Sequence, residues 1–369
     1  MTDAPLLVLA AGGTGGHMFP AQALAETMLA RGWRVSLTSD ARGLRYAKGF
    51  PEAVQRIETA SASLSRGGLA AKLAAPFAIY RGIKAARATF AADRPAVVAG
   101  FGGYPALPAL AAAWTMQIPR LIHEQNGVLG RVNRLFARHV NRVCCGTWPL
   151  TNPPAGAKLV HLGNPVRAAA AAARSTPYAP PTPDAEVRVV VFGGSQGASV
   201  FGRTVPQAVA MLPEALRQRL RITQQVRDGE EGAVGATYRS AGVEADLAPF
   251  FDAMPGRLAE AQLVIARAGA STIAELTAIG RPAILVPYPH ALDDHQTANA
   301  AALSAAGGAL IEQEAGLTAE GLAAHLRRLL LEETGKTATM AQAAFGLGRP
   351  DAAATLADLV EELHNIPTG

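Results

Sequence analysis

His17 stands directly after the run Gly12-Gly13-Thr14-Gly15-Gly16. An imidazole at the mouth of a glycine turn is suited to take a proton from a hydroxyl near neutral pH. The same position also suits a helix-start histidine bonded to its own turn, and position alone leaves both readings open. A second glycine turn, Gly193-Gly194-Ser195-Gln196-Gly197-Ala198, follows another apolar run. Turns of this kind between strand and helix let backbone N–H groups approach an anion unobstructed, with the helix N-terminus adding partial positive charge. Neither is a Walker loop, because no Gly-Lys-Ser/Thr follows, and neither has the dinucleotide-binding register. Each could instead serve only a tight turn.

Further polar clusters follow apolar runs elsewhere. Gly102-Gly103-Tyr104-Pro105 and His123-Glu124-Gln125-Asn126-Gly127 both follow expected strands, which in parallel α/β sheets is the edge where ligands sit. Glu124 and Asn126 could alternatively cap the next helix. In Arg267-Ala268-Gly269-Ala270-Ser271-Thr272-Ile273-Ala274-Glu275, Thr272 and Glu275 have the spacing of a capping box. The same Glu275 could also offer two acceptor oxygens to a ribose. Asp293-Asp294-His295-Gln296-Thr297-Ala298-Asn299 lacks a metal-ligand spacing, while Gln296 and Asn299 would share one helical face and suit a sugar. No Asp-x-Asp occurs in the chain, so a diphosphate would lack its usual metal-bridging carboxylates. Its charge would fall to helix dipoles and cations, of which Arg167 in Gly163-Asn164-Pro165-Val166-Arg167 is one candidate. Neither a metal nor a cofactor is expected.

These motifs need strands and helices to place them. Short β-rich runs at Leu6–Leu9, Val35–Thr38, Val97–Ala99, Arg120–His123, Val140–Cys144, Val187–Phe192, Arg221–Gln224, Leu263–Ala266 and Ala283–Val286 alternate with helical patterns. The alternation predicts βαβ units around two parallel sheets. With 369 residues, 49% apolar, two domains are expected. The Ala/Pro-rich stretch 168–185 reads as a linker between an N-terminal domain, 1–167, and a C-terminal one, 186–345. The last stretch, 346–369, reads as a helix packing back across the hinge. Residues 1–170 hold 19 Lys/Arg against 7 Asp/Glu, so the net charge of +5 conceals a basic first half and an acidic second half.

Within the basic half, residues 65–90 mix Leu69, Leu73, Phe77, Tyr80 and Ile83 with Lys72, Arg81, Lys84 and Arg87. Such a helix could dock on an anionic membrane surface or pack in the ordinary way on its own sheet. The uncharged stretch from Pro95 to Pro119 is broken by glycines and prolines and reads as strand, turn and buried helix rather than a membrane span. Cys144 and Cys145 are adjacent, unsuited to an unstrained bridge, which fits a reducing cytosol. The N-terminus lacks the basic start of a signal peptide. The basic half has no aromatic-interleaved motif, so nucleic acid is not an expected partner.

Taken in order, the motifs from Gly12 to Pro20, Gly102 to Tyr104, His123 to Asn126, Gly163 to Arg167, Gly193 to Ala198 and Arg267 to Glu275 resemble those of the MurG family, N-acetylglucosamine transferases of glycosyltransferase family 28. The resemblance spans nearly the whole chain. It implies an α/β GT-B fold, two Rossmann-like parallel-sheet domains facing across a cleft, with a lipid-linked muramyl-pentapeptide acceptor on the first and UDP-N-acetylglucosamine mainly on the second. Carried over by motif, Thr14, Gly15 and Gly16 line the cleft, Asn126 meets the donor sugar, Tyr104 and Gln196 meet substrate, and Arg167 and Ser195 sit by the diphosphate. Phe251 meets uracil through its backbone, Ala270, Ser271, Thr272 and Glu275 hold diphosphate and ribose, and Gln296, with Asn299, reaches the sugar. His17 becomes the candidate base with Glu124 as its possible partner. The chain departs from the family pattern at Gln224-Gln225, where His-Gln is usual, and at His295-Gln296, where a Gln-Gln pair is usual. The resemblance further implies inversion at the donor C1, a peripheral place on the cytoplasmic face of the bacterial inner membrane, and possible cell-wall synthesis proteins as partners.

Overall fold

The computed structural model describes residues 4–59, 69–194, 197–251 and 253–366. It divides into two compact units, one of Met1–Arg167 with Pro350–Gly369 and one of Ala168–Arg349. In the first, β1 (Leu6–Ala11), β2 (Arg34–Ser39), β3 (Gln55–Glu58), β4 (Val97–Gly102), β5 (Arg120–Glu124), β6 (Arg142–Cys145) and β7 (Leu159–His161) form a parallel sheet in the order β3-β2-β1-β4-β5-β6-β7. In the second, β8 (Val187–Phe192), β9 (Leu220–Gln225), β10 (Glu244–Ala248), β11 (Leu263–Ala266), β12 (Ala283–Leu285) and β13 (Ala309–Ile311) follow the order β10-β9-β8-β11-β12-β13. The short strands β3, β7, β10 and β13 escaped the sequence reading; all four lie at sheet edges, where burial is incomplete and no continuous apolar run is required.

Both sheets are covered on two faces. In β1, Leu7, Leu9 and Ala11 face one core while Leu6, Val8 and Ala10 face another, as a parallel strand buried on both sides must. Helix Ala106–Thr115 buries seven residues, which accounts for the uncharged stretch, and no described helix is long and apolar enough to cross a membrane. Each strand order reverses direction once, between β1 and β4 and between β8 and β11. Loops at the carboxyl ends of those strands diverge there and leave a crevice, and those ends carry Gly12–Thr14 with Gly102–Tyr104, and Gly193–Gly194 with Arg267–Gly269.

The final helix, Ala352–Asn365, buries Leu356, Ala357, Leu359, Val360 and Leu363 in the first unit's core. Arg31 bonds to Asp358 and Glu361 at 2.8 and 2.7 Å. Exposed ion pairs contribute about 0–1 kcal/mol, whereas each large aliphatic side chain buried contributes about 1.5–3 kcal/mol, so the apolar face docks this helix. The stretch expected as a linker is built into the second unit from Ala168 onward: helix Ala168–Ala173 buries Ala170, Arg174 donates to the Ala278 carbonyl and stacks on Phe345, and buried Arg281 donates to the Thr176 carbonyl at 3.0 Å. Alanine- and proline-rich composition resembles a tether, but it says nothing of the distant residues that bind it.

Candidate functional site

In the first unit, helix Gly15–Ala30 starts at Thr14, whose extended backbone caps it without a side-chain bond, and its first turn holds no acidic residue. The helix N-terminus therefore keeps its partial positive charge uncompensated by side chains. His17 lies in this first turn, half-buried, with Nδ1 2.8 Å from the Gly12 carbonyl oxygen. A carbonyl only accepts, so Nδ1 carries the proton and Nε2 is left as the basic nitrogen. Gly102 and Gly103 border this imidazole with φ of +95° and +78°. A Cβ on Gly102 would lie 3.3 Å from His17 Nε2, and one on Gly103 only 2.7 Å from the Gly12 oxygen. Side chains at these two positions would crowd the imidazole and displace the carbonyl that sets its tautomer.

Beneath lies a buried polar layer. Glu124 is 2% exposed, yet its carboxylate is fully engaged: Oε1 accepts from Asn126 N and Nδ2, both at 3.1 Å, and Oε2 accepts from Gly130 N at 2.8 Å and Asn133 Nδ2 at 2.9 Å. The expected pairing with His17 is replaced by this clamp on the 124–133 loop, because four N–H donors satisfy the carboxylate where it sits. His123, fully buried, bonds through Nε2 to the Gly163 carbonyl at 3.0 Å; burial pushes its pKa down to about 4, so the ring is neutral at physiological pH. Asn164 Nδ2 and Thr147 Oγ1 both donate to the Gln125 carbonyl at 2.9 Å. Asn133 escaped the sequence reading; the one signal was an amide among the apolar residues of helix Arg131–Phe136. Tyr104 packs half-buried against the core, and the Arg167 guanidinium lies 5.5 Å from the Phe19 ring, within the same unit.

In the second unit, Gly193 N donates to Gln225 Oε1 at 3.1 Å, and Gln225 Nε2 donates to the Pro249 carbonyl at 3.0 Å. One amide thus ties the β8 loop to the β10 loop. A Cβ on Gly193 would stand 2.4 Å from Ala198 N, which explains the glycine. Ser195 and Gln196 lie outside the described residues. Helix Ala270–Ile279 is capped by Gly269 with no side-chain bond, so the capping-box reading of Thr272 and Glu275 is corrected: both lie inside the helix, buried. Ser271 Oγ is buried without a hydrogen-bond partner. Gln296 Oε1 accepts from Ala268 N at 3.1 Å and Tyr288 N at 2.9 Å, which points the amide nitrogen the other way. Asn299, fully buried, donates to the Ala268 carbonyl at 3.1 Å; it holds the turn from within, a different place from the sugar contact expected of it. His295 is half-buried and bonds to the Leu292 carbonyl. Phe251 lies under the Arg257 guanidinium at 4.5 Å, and Arg257 is fixed by Asp246 at 2.7 Å and Thr223 at 3.2 Å. Among the described residues no group of three or more His, Cys, Asp or Glu is placed to hold a metal ion.

Residues 7–145 match the glycosyltransferase family 28 N-terminal domain, and residues 188–356 match its C-terminal domain. The chain belongs to glycosyltransferase family 28. A relative of this glycosyltransferase from Chelativorans sp. (strain BNC1), 49% identical over 97% of this chain and 95% of its own, is named UDP-N-acetylglucosamine–N-acetylmuramyl-(pentapeptide) pyrophosphoryl-undecaprenol N-acetylglucosamine transferase. A relative from Brucella abortus (strain S19) with the same name is 48% identical, over 97% of this chain and 94% of its own. The crystal structure of Acinetobacter baumannii MurG superposes with a TM-score of 0.78 at 32% identity, covering 97% of this chain and 99% of that one. A calicheamicin glycosyltransferase, CalG4, superposes at 0.67 with 14% identity, over the whole of both chains, and shares the fold alone. Two parallel-sheet α/β domains of the GT-B class are therefore established for this glycosyltransferase.

Its expected membrane face lies on helix Leu69–Ala92. The side chains of Leu69, Lys72 and Leu73 lie outside the described residues. Phe77 and Tyr80 are 68% and 64% exposed, and Arg81, Lys84 and Arg87 are exposed beside them. Ile83 and Ala86 turn inward with buried Phe90, so one face of this helix packs on its own unit and the other carries the aromatic and cationic side chains.

Proposed function

We propose that this glycosyltransferase transfers N-acetylglucosamine from UDP-N-acetylglucosamine to the 4-hydroxyl of a muramyl-pentapeptide-pyrophosphoryl-undecaprenol acceptor, with inversion at C1. The observation that carries the reading is near-half identity along both domains with enzymes bearing that name. The donor is α-linked and the product β-linked, so a single displacement suffices and no enzyme nucleophile is used. The acceptor oxygen forms the new bond to C1 as the bond from C1 to the UDP oxygen breaks. Its proton passes to His17 Nε2, the ring nitrogen that the Gly12 carbonyl leaves unprotonated.

The departing diphosphate carries the negative charge away. Backbone N–H groups at the start of helix Ala270–Ile279, the Ser271 hydroxyl and Arg167 are the groups assigned to stabilise it. Gln296 presents its amide nitrogen to the sugar, Glu275 the ribose acceptor oxygens, and the Phe251 backbone reads the base. This reading assigns no cofactor: the chain has no Asp-x-Asp to bridge a metal to the diphosphate, whose charge is left to N–H groups and cations. Phe77 and Tyr80, ringed by cations, dock the N-terminal unit on the anionic cytoplasmic leaflet where a lipid-linked acceptor resides, and proteins of cell-wall synthesis are its neighbours there.

Radiolabel transfer from UDP-N-acetylglucosamine to the lipid-linked muramyl acceptor tests this directly, with UDP-glucose and a soluble acceptor as controls. Label in the lipid product only with the N-acetylated donor is expected. Equal transfer to the soluble acceptor would instead make this a small-molecule glycosyltransferase of the same fold.

A further inference from the structure

Arg267 is the last residue before the turn that opens helix Ala270–Ile279, and its side chain runs away from solvent into the second unit. Nη1 donates to the carbonyls of Val286 and Pro287, at 3.2 and 3.1 Å, beyond the end of β12. The guanidinium lies 5.4 Å from both the Phe201 and Tyr288 rings. Nη2 bonds to Glu314 Oε2, from the loop after β13. The Arg267 side chain is 8% exposed and that of Glu314 27%, so an arginine charge sits in a poorly hydrated place with one carboxylate to compensate it.

The two loops that Arg267 joins are the same two that Gln296 joins from its other side, through Ala268 N and Tyr288 N. The loop bearing Glu314 is itself anchored: Glu312, two residues earlier, meets His325 of helix Ala319–Arg327 at 2.7 Å. A rigid chain of contacts therefore runs from that helix through Glu314 and Arg267 to the turn 267–270 and to the Gln296 carbonyl.

We propose that Glu314 is a positioning residue for the donor site. Its carboxylate holds the Arg267 guanidinium inward, which sets the distance between the 267–270 turn and the Tyr288 loop and thereby the direction in which Gln296 offers its amide. The inference rests on the reading that this turn receives the donor diphosphate.

The test uses the full-length enzyme and the variants Glu314→Ala, Glu314→Gln and Glu275→Ala. Donor and acceptor KM, kcat, UDP affinity by calorimetry and Tm are measured for each. Glu314→Ala should raise the donor KM and UDP Kd about tenfold while kcat at saturating donor and acceptor KM stay within about twofold. Glu314→Gln, which keeps an acceptor oxygen without the charge, should recover part of the loss. An unchanged or tighter UDP affinity in Glu314→Ala would overturn the proposal, as would parallel losses of kcat, both KM values and Tm. Normal UDP binding by Glu275→Ala would remove the donor from this turn altogether. Weakened binding in Glu275→Ala beside normal binding in Glu314→Ala would leave the donor there and remove only the role of Glu314.

Discussion

The two glycine turns follow the same topological rule and are finished differently. Each ends the first strand of its unit at the point where the sheet order reverses. The N-terminal turn carries a titratable ring, His17, whose proton is placed by the Gly12 carbonyl, above a layer containing buried His123 and Glu124. The C-terminal turns are fixed by the amides of Gln225, Gln296 and Asn299 and by the inward Arg267–Glu314 pair. The difference teaches that one supersecondary unit can present a ring of defined tautomer or a set of N–H groups held still, according to what supports its loop; under the proposed function the first suits proton transfer and the second a diphosphate.

Removing His17 is the strongest way to break this comparison. His17→Ala should lower kcat by about 10²–10⁴-fold and leave UDP affinity within about twofold, by single-turnover kinetics and calorimetry. Unaltered kcat would strip the first turn of its chemical role and make the two turns alike.

A second consequence is acid sensitivity of the N-terminal unit. His123 has its folded pKa depressed by burial to about 4 from an ordinary 6.5, so below the ordinary value the unfolded chain binds more protons. The stability this group contributes is present above pH 6.5 and is lost as pH falls toward 4, a change of about 3 kcal/mol at most. The three tryptophans, Trp33, Trp114 and Trp148, all lie in that unit, so denaturant titrations followed by tryptophan fluorescence report on it. His123→Gln should flatten the pH dependence; an unaltered slope would assign it to other groups.

Glu124→Gln sharpens the distinction between base and scaffold. It turns one acceptor oxygen into a donor facing N–H groups and should cost about 1–3 kcal/mol of stability, with the pH–rate profile unmoved because Glu124 bonds to its own loop and not to His17. A displaced basic limb would couple the two residues after all. The smallest effect is expected in the other unit, where Arg257→Met removes the cation over Phe251. About 1 kcal/mol or less is at stake, so the donor KM should rise only a few-fold and kcat hold; a loss confined to kcat would contradict a role in base recognition.

Much of this is legible in the sequence. The strand-and-turn alternation predicts two parallel sheets, and His17, Gly102–Gly103, Glu124 and the 267–270 turn all lie at the carboxyl edges of strands. Legibility failed where a role depends on a partner remote in sequence. Asn299 is visible only once it is seen to hold Ala268, 31 residues earlier, and Glu314 only across the 47 residues that separate it from Arg267; Asn133, nine residues from Glu124, is hidden instead by the unknown path of the loop between them. The 168–185 stretch was misread for the same reason, since Arg281 and Phe345, which bind it, lie about a hundred or more residues later.

The sequence by itself determined the local terms: apolar runs buried on two faces, glycines that admit a turn or a close approach, and a histidine at a helix start. Those follow from the conformational preferences and hydrophobicity of neighbouring residues, which act over a few positions. Tertiary structure decided which nitrogen of His17 is basic, that Glu124 clamps a loop, and that Arg267 is held inward. The first two depend on how one turn or loop closes on itself to bring partners within about 3 Å, and the third on a residue 47 positions away, a proximity that no single segment carries.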